Sequence, residues 1–189
     1  PHFERAWERY RGRSQRWYRG VPMVYTGLYN PENAVSLAVS SPWARDFERL
    51  RSESDLLMFS HVRHVWGRHA PTIDLKGTDR LLSGLSMFRD RHPRIRCNLI
   101  TFDFGTSVGA SKALVSTLGL QDSVHWFPKT LRKDLMWGLY LSDIVCSEFE
   151  YSWLSSGVIY EALAMAKPIL GFRDDSVFSD QYAELYPML

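Results

Sequence analysis

Short, continuous apolar runs recur along this 189-residue chain, and longer amphipathic stretches separate them. The runs are rich in β-branched and aromatic residues and do not alternate with polar ones, which is typical of strands buried on both faces. They predict strands over residues 23–28, 56–62, 97–102, 124–127, 143–146 and 168–172. A chain with this pattern is expected to build a buried sheet.

The stretches between the strands have helical spacing and start or stop signals. Thr78 and Thr130 are predicted N-caps, Gly119 is predicted to end a helix over residues 107–118, and another helix is predicted over 157–166. Ser41 and Pro42 are read as a cap and first-turn proline. The strand–helix alternation predicts an α/β, Rossmann-like parallel sheet with helices on both faces, in a single domain over residues 1–189.

Composition narrows the class of protein. Hydrophobic residues make up 45% and charged residues 23%, a globular balance that excludes disordered and disulfide-scaffold chains. No apolar run approaches the roughly 18 residues of a membrane-spanning helix. Cys97 and Cys146 both lie in apolar runs, which predicts two buried thiols in a reducing compartment and hence a cytoplasmic location.

The first 20 residues differ from the rest in charge. They carry six Arg against two Glu, whereas the whole chain has a net charge of +2. Such a basic segment is expected either to contact phosphates or an anionic membrane surface, or to be a solvated helix face. Aromatic residues at helical spacing predict a helix there that packs on the domain or on a neighbour: Phe3, Trp7, Tyr10 and Trp17. No nucleic-acid-binding module is apparent.

Common cofactor and metal motifs are not found. The dinucleotide fingerprint GxGxxG is absent, and residues 105–112 have the wrong spacing for a phosphate loop, which favours a turn that leads into a helix. His61, His64 and His69 do not match the ligand spacing of a known zinc site. We therefore expect no bound metal or cofactor, although one of these histidines could contact a substrate.

Charged residues follow the predicted strands at one edge of the sheet. Arg63 and Lys76 come after the strand over 56–62, and Glu161 lies in the helix that begins near Gly157. Ligands of open parallel sheets bind beyond the carboxyl ends of the strands. Cations and a helix N-terminus suit a diphosphate, and a carboxylate can accept from two sugar hydroxyls. Each residue taken alone could also be an ordinary surface charge.

Six segments, read in order, carry a resemblance to a known family. They are LLMFSHVR at 56–63, KGTDRLL at 76–82, DSVHWFP at 122–128, LYLSDIV at 139–145, GVIYEALA at 157–164 and KPI at 167–169. In order and spacing they resemble the carboxyl-terminal, donor-binding domain of a GT-B glycosyltransferase, close to glycosyltransferase family 4, also called group 1. The resemblance covers residues 55–172, while residues 1–50 match the family poorly.

The resemblance implies a retaining transferase that takes a sugar from a nucleotide-diphosphate sugar without an obligatory metal. It implies that Arg63 and Lys76 neutralise the donor diphosphate and stabilise the charge that develops on it as it leaves. Glu161 matches the second glutamate of the family's E-x7-E pattern, which binds ribose. The remaining matched positions are Gly157 and Val158, at a helix start that faces phosphate, and Trp126 and Phe127, beside the base.

The chain departs from the family in two ways. Trp153 stands where the first glutamate of E-x7-E is expected, with Glu148 and Glu150 nearby. The family also needs an amino-terminal domain for the acceptor, so we expect this chain, which begins at Pro1, to be half of a larger enzyme. Two alternatives stay open: a nucleotide-sugar-binding module without activity, and a nucleotide-sugar epimerase or hydrolase of the same architecture.

Overall fold

The computed structural model describes residues 28–67, 75–150 and 156–172. The strands are β1 (Leu56–Phe59), β2 (Cys97–Asp103), β3 (Val124–Pro128), β4 (Ile144–Cys146) and β5 (Ile169–Leu170). The helices are α1 (Pro31–Ala38), α2 (Ala44–Ser52), α3 (Thr78–Arg91), α4 (Val108–Thr117), α5 (Arg132–Leu141) and α6 (Gly157–Ala164). The predicted helix over residues 1–20, nearly all of the predicted strand over 23–28, and Trp153 lie outside the described residues.

The described strands form one sheet of five parallel strands in the order β3-β2-β1-β4-β5. Leu56–Phe59 of β1 pairs with residues 97–100 of β2 on one side, and Met58 and Phe59 pair with residues 144 and 145 of β4 on the other. The chain therefore runs outward from β1 to β3 and then crosses back to β4. This reversal opens a crevice at the carboxyl ends of β1 and β4, where α/β sheets bind ligands.

Two apolar clusters lie on opposite faces of the sheet. One joins Phe59 and Phe102 to Phe47 of α2 and Leu139 of α5. The other contains strand residues that point away from the first cluster, such as Met58. These pack with side chains of α3 and α4, such as Leu82 and Val115. Because neighbouring residues of a strand face opposite ways, a continuous apolar run fills both clusters at once. The predicted doubly covered parallel sheet is confirmed.

The structure corrects three predicted helix starts. Gly77, not Thr78, is the N-cap of α3, and Leu131, not Thr130, precedes α5. Helix α2 begins at Ala44 after Trp43, so Pro42 does not occupy its first turn. The Thr130 hydroxyl instead binds the Asp134 carboxylate at 3.3 Å, one helical turn away. A hydroxyl that binds a side chain in the next helical turn, or elsewhere in the fold, does not cap the backbone of its own helix. The sequence pattern does not show which of these partners the hydroxyl binds.

The two cysteines are free and buried, as predicted. Burial raises the pKa of the Cys97 thiol to about 11, and it also raises the pKa of Cys146. Both thiols therefore stay protonated at neutral pH and serve as small apolar side chains. In the part of the chain that the structure describes, no helix has the length and apolar character needed to cross a bilayer.

Candidate functional site

Charged side chains meet at the crevice between the carboxyl ends of β1 and β4. His61 comes two residues after β1, Glu148 comes two residues after β4, and Glu161 lies in the second turn of α6. The segment that joins β1 to α3 returns to the same edge, where the Lys76 amide binds the Val65 carbonyl at 2.7 Å. The topology thus brings Lys76 and Glu161 to the same edge of the sheet, as the sequence predicts.

Lys76 forms an ion pair with Glu148. Their Nζ and Oε1 atoms are 2.8 Å apart, and the two side chains are 12% and 10% exposed. Among the described residues, the other carboxylate oxygen of Glu148, Oε2, is buried without a hydrogen-bond partner. A buried carboxylate needs a counter-charge to remain ionised, so Lys76 and Glu148 hold each other at the crevice.

Gly77 allows Lys76 to approach the segment after β4. The Gly77 φ angle is +65°, in the left-handed region, and a Cβ there would lie 2.8 Å from the Glu150 amide nitrogen and from the Phe149 carbonyl carbon. The Phe149 amide also binds the Lys76 carbonyl at 2.8 Å. Only glycine fits this close backbone contact without strain, so the Lys-Gly pair positions the Lys76 ammonium next to Glu148.

The Glu161 carboxylate is 1% exposed and binds two side chains. The His61 Nε2 atom lies 2.5 Å from Oε2, and the Arg132 guanidinium binds Oε1. Arg132 begins α5, and its side chain is 58% exposed. In this arrangement Glu161 is bound from two directions, and a ligand that reaches it must replace or join one of these partners.

Tyr29 completes the surroundings of Glu161. Its side chain is buried, and it interacts with both Glu161 and Arg132. Burial, followed by the negative charge of Glu161, raises the pKa of the Tyr29 phenol, and Arg132 opposes that rise. Tyr29, two residues before α1, is thus linked to Arg132 of α5 and Glu161 of α6.

Arg63 and His64 lie in the loop after β1, which is bound to the start of α4. His64 is buried, with Nε2 2.8 Å from the Thr101 hydroxyl and Nδ1 3.0 Å from the Ser111 hydroxyl. A Cβ at Gly105, where φ is +121°, would lie 2.4 Å from the His64 carbonyl oxygen. This docking occupies the turn over residues 105–112, as expected for a turn that leads into a helix. Arg63, the neighbour of His64 in the loop, is half-buried.

Burial lowers the pKa of His64 to about 4, with Asp103 opposing and Lys112 adding to that shift. The unfolded imidazole titrates near pH 6.5, so between pH 6.5 and 4 the unfolded chain binds more protons. The stability that His64 contributes is therefore complete above pH 6.5 and is lost as the pH falls through about 4. In this pH range we expect the free energy of unfolding of the wild type to fall more steeply than that of His64→Gln. The difference between the two slopes is up to about 1.4 kcal/mol per pH unit.

Urea titrations of both proteins from pH 8 to 4 measure that difference. Other titrating groups are common to the two proteins, so the difference between the slopes isolates His64. Equal slopes would show that the imidazole is protonated equally easily in the folded and unfolded chains.

Trp126 and Phe127 lie within β3 and face opposite sides of the sheet. Phe127 is 7% exposed and packs against Phe47 with ring centroids 4.9 Å apart. The Trp126 ring lies 4.8 Å from the His64 ring and 5.1 Å from the Lys112 ammonium nitrogen. The structure therefore places both rings in contacts within the domain and does not bring them together.

Gly157 and Val158 open α6, whose N-cap is Ser156. The Ser156 side chain accepts a hydrogen bond from the Ile159 amide, and its hydroxyl lies 3.4 Å from that of Ser147, the residue that follows β4. The start of α6 is thereby fixed beside the crevice. The first amides of a helix have no partner within the helix, and they present positive charge toward an anion.

A second concave region among the described residues has different chemistry. A groove of about 320 Å³ lies between α3 and the neighbouring strands, but its walls are mostly apolar side chains such as Met58, Leu85 and Phe88. Among the described residues, no three His, Cys, Asp or Glu side chains converge as metal ligands do. The crevice remains the candidate site.

Sequence reasoning does not identify the two side chains that bind Glu161. Arg132 is 29 residues from Glu161 in the chain, and His61 is 100 residues from it. The sequence indicates a possible substrate contact at His61 and assigns it no partner. No motif marks Arg132, since a basic residue at the start of a helix is common and opposes the helix dipole. Its position at the positive end of α5 was the only signal available.

Comparison with known proteins shows which fold this is. No protein-family model matches the sequence, and no curated protein matches it. Solved structures do match. HepE of Anabaena, crystallised with UDP and glucose, superposes with a TM-score of 0.54 at 16% identity over 83% of this chain and 38% of its own. WaaG, a glycosyltransferase involved in lipopolysaccharide biosynthesis, has a TM-score of 0.50 at 18% identity over 67% of this chain and 31% of its own.

A third structure defines the region of similarity. The carboxyl-terminal domain of LpcC, a glycosyltransferase group 1 protein from Francisella tularensis, has a TM-score of 0.50 at 14% identity, and the match covers 67% of this chain and 63% of that domain. The chain thus spans under two fifths of HepE and WaaG, and a larger share of an isolated carboxyl-terminal domain. The chain has the fold of the carboxyl-terminal domain of group 1 GT-B glycosyltransferases, which confirms the predicted resemblance.

Proposed function

We propose that this chain is the donor-binding domain of a retaining glycosyltransferase that uses a nucleotide-diphosphate sugar. One observation carries the proposal: Lys76 and Glu161 lie at the crevice between the carboxyl ends of β1 and β4, through their contacts with Glu148 and His61. That crevice is where folds of this kind bind ligands. HepE, which shares the fold, has been crystallised with UDP-glucose, and this supports a ligand of the same class here.

In the proposed mechanism, Lys76 and Arg63 bind the diphosphate of the donor. As the bond between the sugar and the diphosphate breaks, negative charge grows on the leaving phosphate, and a cation already in place stabilises it. Glu148 holds Lys76 in position, and the first amides of α6, at Gly157 and Val158, add positive potential. The ammonium then exchanges part of its interaction with Glu148 for the phosphate oxygens.

Glu161 is proposed to bind ribose hydroxyls. Its carboxylate already binds Arg132 and His61, and the exposed Arg132 side chain can rotate toward solvent more readily than buried His61. We propose that the diol of the ribose displaces Arg132 and that His61 continues to orient the carboxylate. Any contact to the base falls to residues beyond β3, near Trp126 and Phe127.

The partners follow from the same proposal. The chain covers 38% of HepE and 31% of WaaG, which supports a preceding acceptor domain as the other half of the enzyme. Two buried free thiols support a cytoplasmic location. The basic segment over residues 1–20 supports peripheral contact with an anionic membrane, which cosedimentation of the protein with anionic vesicles would measure.

The test is calorimetry of the full-length protein with UDP-, GDP- and ADP-sugars, followed by a transfer assay. We expect one of these donors to bind and Glu161→Gln to weaken its binding about tenfold, the effect of losing one charged hydrogen bond. The matched control is Asp55→Ala. Asp55 binds Arg96 at 3.0 Å at the opposite, amino-terminal edge of the sheet, so its loss should leave binding unchanged. Absence of binding to every donor would reject the proposal.

A second candidate is a nucleotide-sugar-binding module without transferase activity. Trp153 in place of the first glutamate of E-x7-E favours it, because a sugar-side carboxylate is then absent from that position. Donor binding without transfer in the intact protein would identify the module. Conversion of the donor without any acceptor would instead indicate an epimerase or hydrolase.

A further inference from the structure

His61 has one ring nitrogen bound and one without a partner. Nε2 lies 2.5 Å from the Glu161 carboxylate, and Nδ1 is buried with no hydrogen-bond partner among the described residues. The His61 side chain is 8% exposed. A buried polar atom without a partner costs about 1–3 kcal/mol, so such an atom beside a ligand crevice points to a group that the ligand supplies.

The chemistry of that group follows from the tautomer. A carboxylate oxygen accepts, so when the imidazole carries one proton that proton lies on Nε2, and Nδ1 is then an acceptor. An acceptor needs a donor from the ligand. The oxygens of an ionised diphosphate carry no hydrogen and cannot fill that role, whereas a hydroxyl can.

A second unpartnered acceptor lies on the neighbouring strand. Glu148 follows β4, its side chain is 10% exposed, and its Oε2 atom is buried without a hydrogen-bond partner among the described residues. Its Oε1 atom binds Lys76. Two acceptors at the carboxyl ends of adjacent strands favour the hydroxyl-bearing part of a ligand over its phosphates.

We propose that His61 is a specificity-determining residue whose Nδ1 atom accepts a hydrogen bond from a hydroxyl of the bound nucleotide-sugar, with Glu161 holding the ring in the accepting tautomer. The proposal rests on the proposed function and assigns a role that the family resemblance does not give to this position. The hydroxyl belongs either to the ribose or to the transferred sugar, and the experiment distinguishes these two sources.

Two isosteric variants separate the nitrogens of His61. In His61→Gln the side-chain amide reaches the position of Nε2 and keeps the contact with Glu161, but nothing replaces Nδ1. In His61→Asn the amide oxygen occupies the position of Nδ1 and the contact with Glu161 is lost. We expect the Gln variant to melt within about 2 °C of the wild type and to bind UDP-glucose about tenfold more weakly. We expect the Asn variant to melt several degrees lower and to bind more tightly than the Gln variant.

The ligand series locates the hydroxyl. Calorimetry is run with UDP-glucose, UDP and 2′,3′-dideoxy-UDP, or with the same series on the base that the wild type prefers. A tenfold loss in the Gln variant with UDP-glucose alone assigns the hydroxyl to the transferred sugar. A loss with UDP-glucose and UDP that disappears with the dideoxy nucleotide assigns it to the ribose.

Three results would overturn the assignment. They are wild-type affinity in His61→Gln, weaker binding in His61→Asn than in His61→Gln, and an equal loss with all three nucleotides. Each of these leaves the proposed function intact, provided that the wild type binds. If the wild type binds no nucleotide-sugar of the panel, the proposed function fails first and the role of His61 fails with it.

Discussion

Replacement of Lys76 by Met is expected to reduce kcat/KM for the nucleotide-sugar about 100-fold and to lower the free energy of unfolding by about 3 kcal/mol. The first effect follows from the loss of the cation that faces the leaving diphosphate. The second follows because Glu148, whose side chain is 10% exposed, loses its 2.8 Å partner and stays buried without a counter-charge. Turnover of donor and urea unfolding measure the two effects separately.

A double variant separates the role of Lys76 in folding from its role in binding. Lys76→Met with Glu148→Gln removes both charges, so we expect stability to return to within about 1 kcal/mol of the wild type while turnover stays low. Arg96→Ala is the control, because Arg96 pairs with Asp55 at the other edge of the sheet and should change neither quantity much. Recovery of turnover in the double variant would show that Lys76 acts on Glu148 alone.

Gly138→Ala is expected to destabilise the domain by about 3 kcal/mol, the upper end of the usual cost of overpacking. Gly138 lies in α5, and a Cβ there would be 2.3 Å from Cε2 of Phe59. Phe59 is fully buried between α2, α5 and β2, so its ring has little room to move. The methyl group must therefore push α5 away from β1, which also displaces Arg132 at the start of the helix from Glu161.

Gly84→Ala is the matched control for this change. Gly84 also lies inside a helix, α3, and a Cβ there meets nothing within 4 Å. Its replacement removes only the helical penalty of glycine, so we expect stabilisation by about 0.5–1 kcal/mol. Thermal and urea unfolding are expected to show a lower free energy of unfolding for Gly138→Ala than for the wild type, and a higher one for Gly84→Ala. A similar effect of both substitutions would contradict the close approach of α5 to Phe59.

Pattern alone predicted the strands of the described sheet within a few residues, and the reason is physical. β1 and β2 are buried on both faces, so their apolar runs are continuous and stand out from the amphipathic helices. β5 spans only Ile169–Leu170, although the run over 168–172 predicted more. The length of β5 is set by its pairing with β4, which involves only Ile169 and Leu170. The apolar run over 168–172 does not show where that pairing stops.

Helix boundaries were predicted less well, because a capping side chain has competing partners. Thr130 was predicted to cap α5 but binds Asp134 and accepts a bond from the Trp43 indole at 3.3 Å. Trp43 in turn precedes α2 in place of the predicted Ser41 and Pro42. These bonds join residues that are up to 87 positions apart, and local pattern does not report them.

The order of the strands and helices, and therefore the edge at which Lys76 and Glu161 lie, followed from the sequence by itself. Apolar spacing is a local property, and a parallel sheet places the carboxyl ends of all its strands at one edge. The order of the strands within the sheet, β3-β2-β1-β4-β5, was decided by tertiary pairing. Only the tertiary structure decided the partners of these charges: Glu148, 72 positions from Lys76, and His61 and Arg132 around Glu161. Which charges meet depends on strand register and helix docking. An ion pair needs its two charges within a few ångströms, and residues at many different separations along the chain can be brought that close.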